Sequence, residues 1–132
     1  MLIPLDAIRD AAARTTPHLH RTPMLSSRTI GERAGVRLLL KCESFQKTGS
    51  FKPRGALNIV LSMSQERRRR GLITVSAGNH AKAVAWAARV AGAPRTVGMP
   101  TDAPRSKMEA TRGYGATILT HDDRATLFDR LH

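Results

Sequence analysis

From Gly71 onward, short apolar runs alternate with helical runs, and glycine or proline closes several of them. No other feature of the sequence constrains the fold as much. Leu72 to Val75 reads as a strand, and Ser76 to Asn79 as a tight polar turn. Ala81 to Ala91 is an alanine-rich helix ended by Gly92, and Arg95 to Met99 is a second strand closed by Pro100. A helix from about Pro104 to Arg112 is broken by Gly113, and Ala116 to Leu119 forms a third strand. Asp122 and Asp123 then open a last helix, since carboxylates favour its positive end. Strands separated by helices pair in parallel through right-handed crossovers, so the fold class is α/β: a parallel sheet with flanking helices.

The first half is less regular. Leu5 to Arg14 can form a short helix with Leu5, Ile8 and Ala12 on one face, ended by Thr15-Thr16-Pro17 because a residue before proline avoids the helical region. Thr22-Pro23 is another break, and Ser27 to Ala34 is a second helix closing at Gly35. Val36 to Cys42 reads as a buried strand. The loop Glu43 to Gly49 leads to Ser50 as a helix cap, with Pro53 in the first turn, where its missing N–H costs little. That helix runs through Ala56, Leu57, Ile59, Val60 and Met63, and Ser64 caps a further short turn.

Composition narrows the function classes. With 132 residues, 41% hydrophobic and 24% charged, the chain suits a soluble globular protein with one modest core. No apolar run is long enough to span a membrane, and the start does not read as a signal peptide. A single cysteine, Cys42, cannot close an internal disulfide, so a cytoplasmic location is expected. The net charge of +12 raises the prospect of a polyanion partner. Only Arg67-Arg68-Arg69-Arg70 is dense, however, and no aromatic residues interleave it as a single-strand binding surface wants. No specific nucleic-acid partner is expected, and any DNA binding should be weak and lost steeply with salt.

Ligands of open α/β sheets bind beyond the carboxyl ends of the strands, where helix N-termini point. Ser76-Ala77-Gly78-Asn79-His80 occupies such a place: Gly78 permits close backbone approach, Ser76 and Asn79 offer hydrogen bonds, and the next helix offers free N–H groups. A turn of this composition also serves simply as a helix cap. Lys52, in Thr48-Gly49-Ser50-Phe51-Lys52-Pro53-Arg54-Gly55-Ala56, lies at a helix start, where the dipole disfavours a cation. A neutral or imine-forming lysine fits that place, and so does an ordinary surface charge. His18 and His20 have no nearby acidic or cysteine partner at zinc spacing, so no metal site is expected. Neither a nucleophile elbow nor a Walker loop occurs.

Two segments taken together resemble a known family. Lys41 to Asn58 is similar to the cofactor-lysine region of fold-type II pyridoxal-phosphate enzymes, particularly threonine/serine dehydratases and serine racemases. Ser76 to Ala81 resembles that family's asparagine loop, and Met99-Pro100, Ala103-Pro104, Lys107 and Gly115-Ala116 follow in the family's order. The resemblance implies pyridoxal 5'-phosphate as cofactor, bound covalently by Lys52, which then removes the substrate α-proton. Phe51 would pack beside the cofactor ring and Asn79 would bond its 3′ hydroxyl. Ser76, Gly78, Asn79 and His80 would surround the substrate carboxylate. The activity implied is β-elimination of a hydroxy amino acid to a keto acid and ammonia. Family members that racemise serine carry a serine just before the loop glycine, where this chain has Ala77.

The chain departs from the family in three ways. Lys82-Ala83 replaces the usual Gln-Gly, and family members run roughly two to three times longer than this chain. No Gly-Gly pair occurs to form the family's phosphate-gripping loop. The resemblance therefore implies residues 1–68 as the N-terminal part of a large cofactor domain and residues 69–132 as most of a small α/β domain. It carries the expectation of a truncated enzyme inactive alone, forming a homo-oligomer or joining a complementing C-terminal fragment. A serine racemase-like enzyme and a non-enzymatic remnant or basic binding module stay open as alternatives.

Overall fold

The structure, a computed structural model, describes residues 2–123 and 126. Its second half follows the alternation of the sequence. Strands β3 (Leu72–Val75), β4 (Arg95–Pro100) and β5 (Thr117–His121) form a parallel sheet in the order β3-β4-β5. Leu72 pairs with Arg95 and Thr96 with Thr117, so each strand lies beside the next in sequence. The crossovers are α5 (Asn79–Val90) and α6 (Arg105–Gly113). Gly92, at φ 64°, reverses the chain after α5. The break expected at Gly113 falls at Gly115 instead: Gly113 ends α6, and Gly115 takes the left-handed conformation at φ 80°. The expected helix after Asp123 lies largely outside the described residues.

Alanine explains how α5 fits. Ala83, Trp86 and Ala87 pack with Ala56, Leu57 and Val60 of α3 (Lys52–Ser62). On another side, Ala81 and Ala85 pack with Val97 and Met99 of β4 and with Ala103 and Ala116. Helix α5 is thus covered by a second helix and by the sheet, and small side chains let both come close. Ala83 is fully buried here, so its methyl fills part of the α3–α5 seam.

The first half contains α1 (Leu5–Thr15), α2 (Arg28–Ala34) and the short α4 (Gln65–Arg69). Gly35 closes α2 at φ 65°, and the Ser64 hydroxyl caps α4 by accepting from the Arg67 N–H. An Arg14–Asn58 side-chain hydrogen bond ties α1 to α3.

Two expectations are corrected in this half. The strand read over Val36–Cys42 is only β2 (Leu39–Lys41); it is exposed and pairs antiparallel with β1 (Met24–Ser26). Leucine content suggested burial, but a two-stranded ribbon covers neither of its own faces. Ser50 does not cap α3: the N-cap is Phe51, while Ser50 is extended and buried with its hydroxyl unpartnered.

Candidate functional site

The approach to Lys52 is built from polar side chains. Buried Gln46 bridges two chain segments: its carbonyl accepts from the N–H groups of His20 (3.0 Å) and Lys47 (2.9 Å), and its amide donates to His20 O (2.8 Å). A 3-10 turn, Lys47–Gly49, follows, with Thr48 at φ 62° and Gly49 at φ 74°. After Ser50 and Phe51, α3 begins at Lys52, with Pro53 in its first turn.

Within the first turn of α3, the Arg54 guanidinium grips Glu43 with two hydrogen bonds of 2.7 Å. Thr22 donates to the same carboxylate at 2.6 Å. The Arg54 bonds hold the Glu43 carboxyl at about 2, against the opposing effect of burial and with help from Thr22 and from the charges of Arg54 and Lys41. The same bonding raises Arg54. This fork fixes the start of α3 to the segment behind it, and so fixes where Lys52 projects.

Lys52 Nζ lies 5.0 Å from the centre of the Phe51 ring, within cation–π range. Both residues line a cavity of about 400 Å³ shared by α3, β3 and α5, and His80 of α5 reaches the same space. Ala56, Val60, Leu72 and Val84 give it apolar walls. The structure therefore brings Phe51, Lys52 and His80 together from two distant parts of the chain.

Ser76, Gly78 and Asn79 do not line that cavity; they form the adjoining turn at the carboxyl end of β3. The Gly78 N–H donates to the Ser76 hydroxyl at 3.1 Å, and the Ser76 N–H donates to Gly98 O at 3.1 Å. Asn79 is exposed as the first residue of α5. Ala77 packs against the sheet-side core.

A carbonyl cofactor with a flat ring suits these residues. Lys52 supplies the amine, and Phe51 with the aliphatic walls supplies an apolar bed. A Cβ built on Gly55, one turn from Lys52, would meet nothing within 4 Å. At Gly78 it would meet only the Ser76 hydroxyl, at 3.9 Å. Both glycines therefore face open space beside the candidate site, where a ligand can approach the backbone closely.

Several residues that hold the site together escaped sequence reasoning. Glu43 and Arg54 are eleven positions apart, and Gln46 meets His20 across twenty-six. No periodic pattern marks such pairs. Among the described residues no helix is long and apolar enough to cross a membrane.

The family model for pyridoxal-phosphate dependent enzymes matches residues 15–131. An L-threo-3-hydroxyaspartate ammonia-lyase of Pseudomonas sp is 46% identical over 112 residues, which cover 85% of this chain and 35% of that protein. An L-threonine ammonia-lyase of Geobacter sulfurreducens is 42% identical over 118 residues, covering 89% and 29%. The solved structure of maize serine racemase superposes with a TM-score of 0.91 at 41% identity, covering 99% of this chain and 40% of that one. The chain spans about a third of the length of the curated relatives it matches. It belongs to the fold-type II pyridoxal-phosphate-dependent enzymes, the family of the threonine/serine dehydratases and serine racemases, and matches their N-terminal portion.

Proposed function

We propose that this chain carries the cofactor lysine and the asparagine loop of an ammonia-lyase that eliminates the β-hydroxyl of a small hydroxy amino acid. Residues 1–68 supply Lys52 and Phe51, and residues 69–132 supply Ser76, Gly78, Asn79 and His80. When bound, pyridoxal phosphate supplies an electron sink for the carbanion left by removal of the substrate α-proton. Lys52 would hold the cofactor through its amine, and its Nζ would take the substrate α-proton. Phe51 would support the ring, and Ala56, Val60 and Val84 give the cavity an apolar wall beside it. Asn79 would bond the cofactor hydroxyl, and Ser76, Gly78, Asn79 and His80 would receive the substrate carboxylate at the N-terminus of α5.

The observation that carries the lyase reading over the racemase reading is Ala77. Racemisation needs an acid–base group on each face of the carbanion, and Lys52 serves one. Ala77 has only a methyl, and it packs against the Ala81, Val97 and Met99 cluster. Elimination has no such need, because the leaving hydroxyl departs on the side where Lys52 lies.

The test has two parts. Mixing the chain with pyridoxal phosphate, reducing with borohydride and mapping the adduct by mass spectrometry should find it on Lys52. Binding should be weak, since the sequence has no Gly-Gly pair to grip the phosphate. Labelling of Lys47 or Lys82 with Lys52 untouched would overturn the assignment. Grafting residues 1–132 onto the remainder of a related dehydratase should then give ammonia and keto acid from L-threonine or L-serine with little D-isomer. Rapid D-serine formation, undiminished by Ser76→Ala, would refute the lyase reading.

A further inference from the structure

The loop before Lys52 is secured at its start by side-chain hydrogen bonds within its own half of the chain. Gln46 secures the start through three hydrogen bonds, and the Gly49 N–H donates to Gln46 O at 2.8 Å. Beyond that point the chain carries two local costs. Thr48 is a β-branched residue at φ 62°, a conformation that such residues rarely adopt. The hydroxyls of Thr48 and Ser50 are both buried without a hydrogen-bond partner. A segment with these costs persists only when its surroundings over-determine it.

Helix α5 packs against the middle of the loop and sends a side-chain hydrogen bond to it. Lys82 Nζ donates to the Thr48 carbonyl at 3.1 Å, across thirty-four positions of chain. Lys82 stands in the first turn of α5, just after Asn79 and His80, where a cation is disfavoured by the helix itself. Its ammonium is carried away from that positive end to a carbonyl, and it is the residue that replaces the family's glutamine.

We propose that Lys82 is a positioning residue that latches the Lys52 loop to the helix bearing Asn79 and His80. Through Thr48 it sets the separation between the amine side of the site and the carboxylate side. The latch is a charge-assisted hydrogen bond, stronger than a neutral bond of the same geometry. It acts through Thr48 and touches neither cofactor nor substrate. The proposal rests on the reading of Lys52 as the cofactor lysine, but one arm of its test does not.

Lys82→Met keeps the aliphatic stem and removes the donor; Lys82→Arg restores one. In the full chain, hydrogen exchange of the Gly49 amide should quicken about tenfold in Lys82→Met, in line with the loss of one charged hydrogen bond. Exchange in β4 should stay unchanged. Borohydride trapping of pyridoxal phosphate at Lys52 should slow in the same variant, and both effects should reverse in Lys82→Arg. Unaltered Gly49 exchange in Lys82→Met, or equal acceleration throughout β4, would overturn the latch. If Lys82→Met does not fold, Lys82→Gln provides the comparison, with smaller changes of the same sign expected and no change overturning the proposal. Failure of the unsubstituted chain to label at Lys52 sinks the functional reading alone, and the exchange arm still decides the latch.

Discussion

Glu43 shows how one residue can govern a site it does not enter. Its carboxylate joins Arg54 of α3 to Thr22, and Lys41 lies 4.0 Å away. The carboxyl titrates at about 2 in the folded chain, below its ordinary 4.5, chiefly because Arg54 bonds the charged form. A depressed folded value means that the bond's stabilisation is complete above the ordinary value and is lost as pH falls through the folded one. Glu43→Gln should therefore cost about 2 kcal/mol near neutral pH, trimmed by solvent around the partly exposed Arg54. That difference should shrink between about pH 5 and pH 2. Urea midpoints of both chains across this range provide the check; a gap independent of pH would exclude the fork as its source. The sequence shows Glu43 and Arg54 as two charges among many, since nothing local reveals that they meet.

At the scale of elements, α5 decides the packing. The run Ala81–Ala91 reads as an alanine-rich helix from sequence, its glycine stop is equally plain, and the observed α5 spans Asn79–Val90. That the alanines serve two faces was not legible, because alanine is also the best helix former and occurs for that reason alone. The structure shows Ala85 with no exposure, against Val97 and Met99 of β4. Ala85→Leu keeps good helix propensity and apolar character, so propensity alone expects little change. Crowding expects a loss of about 1–3 kcal/mol, since the added carbons have no space between α5 and the sheet. Chemical denaturation monitored by Trp86, on the α3 side of the same helix, can distinguish the two. A neutral result would mean that the α5–sheet seam is loosely packed.

Over the whole molecule, the two halves differ in how well they cover themselves. The parallel sheet and α5 share a continuous core, whereas every residue of β1 and β2 is exposed. Leu25 and Leu40 face each other across that ribbon at 52% and 43% exposure, and Ile30 and Val36 in the same half of the chain are also exposed. An apolar patch of this kind favours association. The chain should therefore show a mass that rises with concentration in sedimentation. The double substitution Leu25→Lys with Leu40→Glu should lower it, because opposite charges still pair across the strands while the surface loses its apolar character. A wild-type chain that stays monomeric at high concentration would show that the ribbon is not adhesive.

The sequence by itself determined the parallel α/β half and the place of Lys52. Those features rest on local chemistry: apolar runs of strand length, glycines that take left-handed turns, and a proline that fits the first turn of a helix. Short motifs in a fixed order likewise carried the family resemblance, before any distance was known. The tertiary structure alone decided the β1–β2 pairing, the Glu43–Arg54 fork, the meeting of Lys52 with His80 and the Lys82–Thr48 contact. Each joins residues far apart in the chain. Their energies depend on a closeness that only the packed core creates, so no pattern along the chain records them.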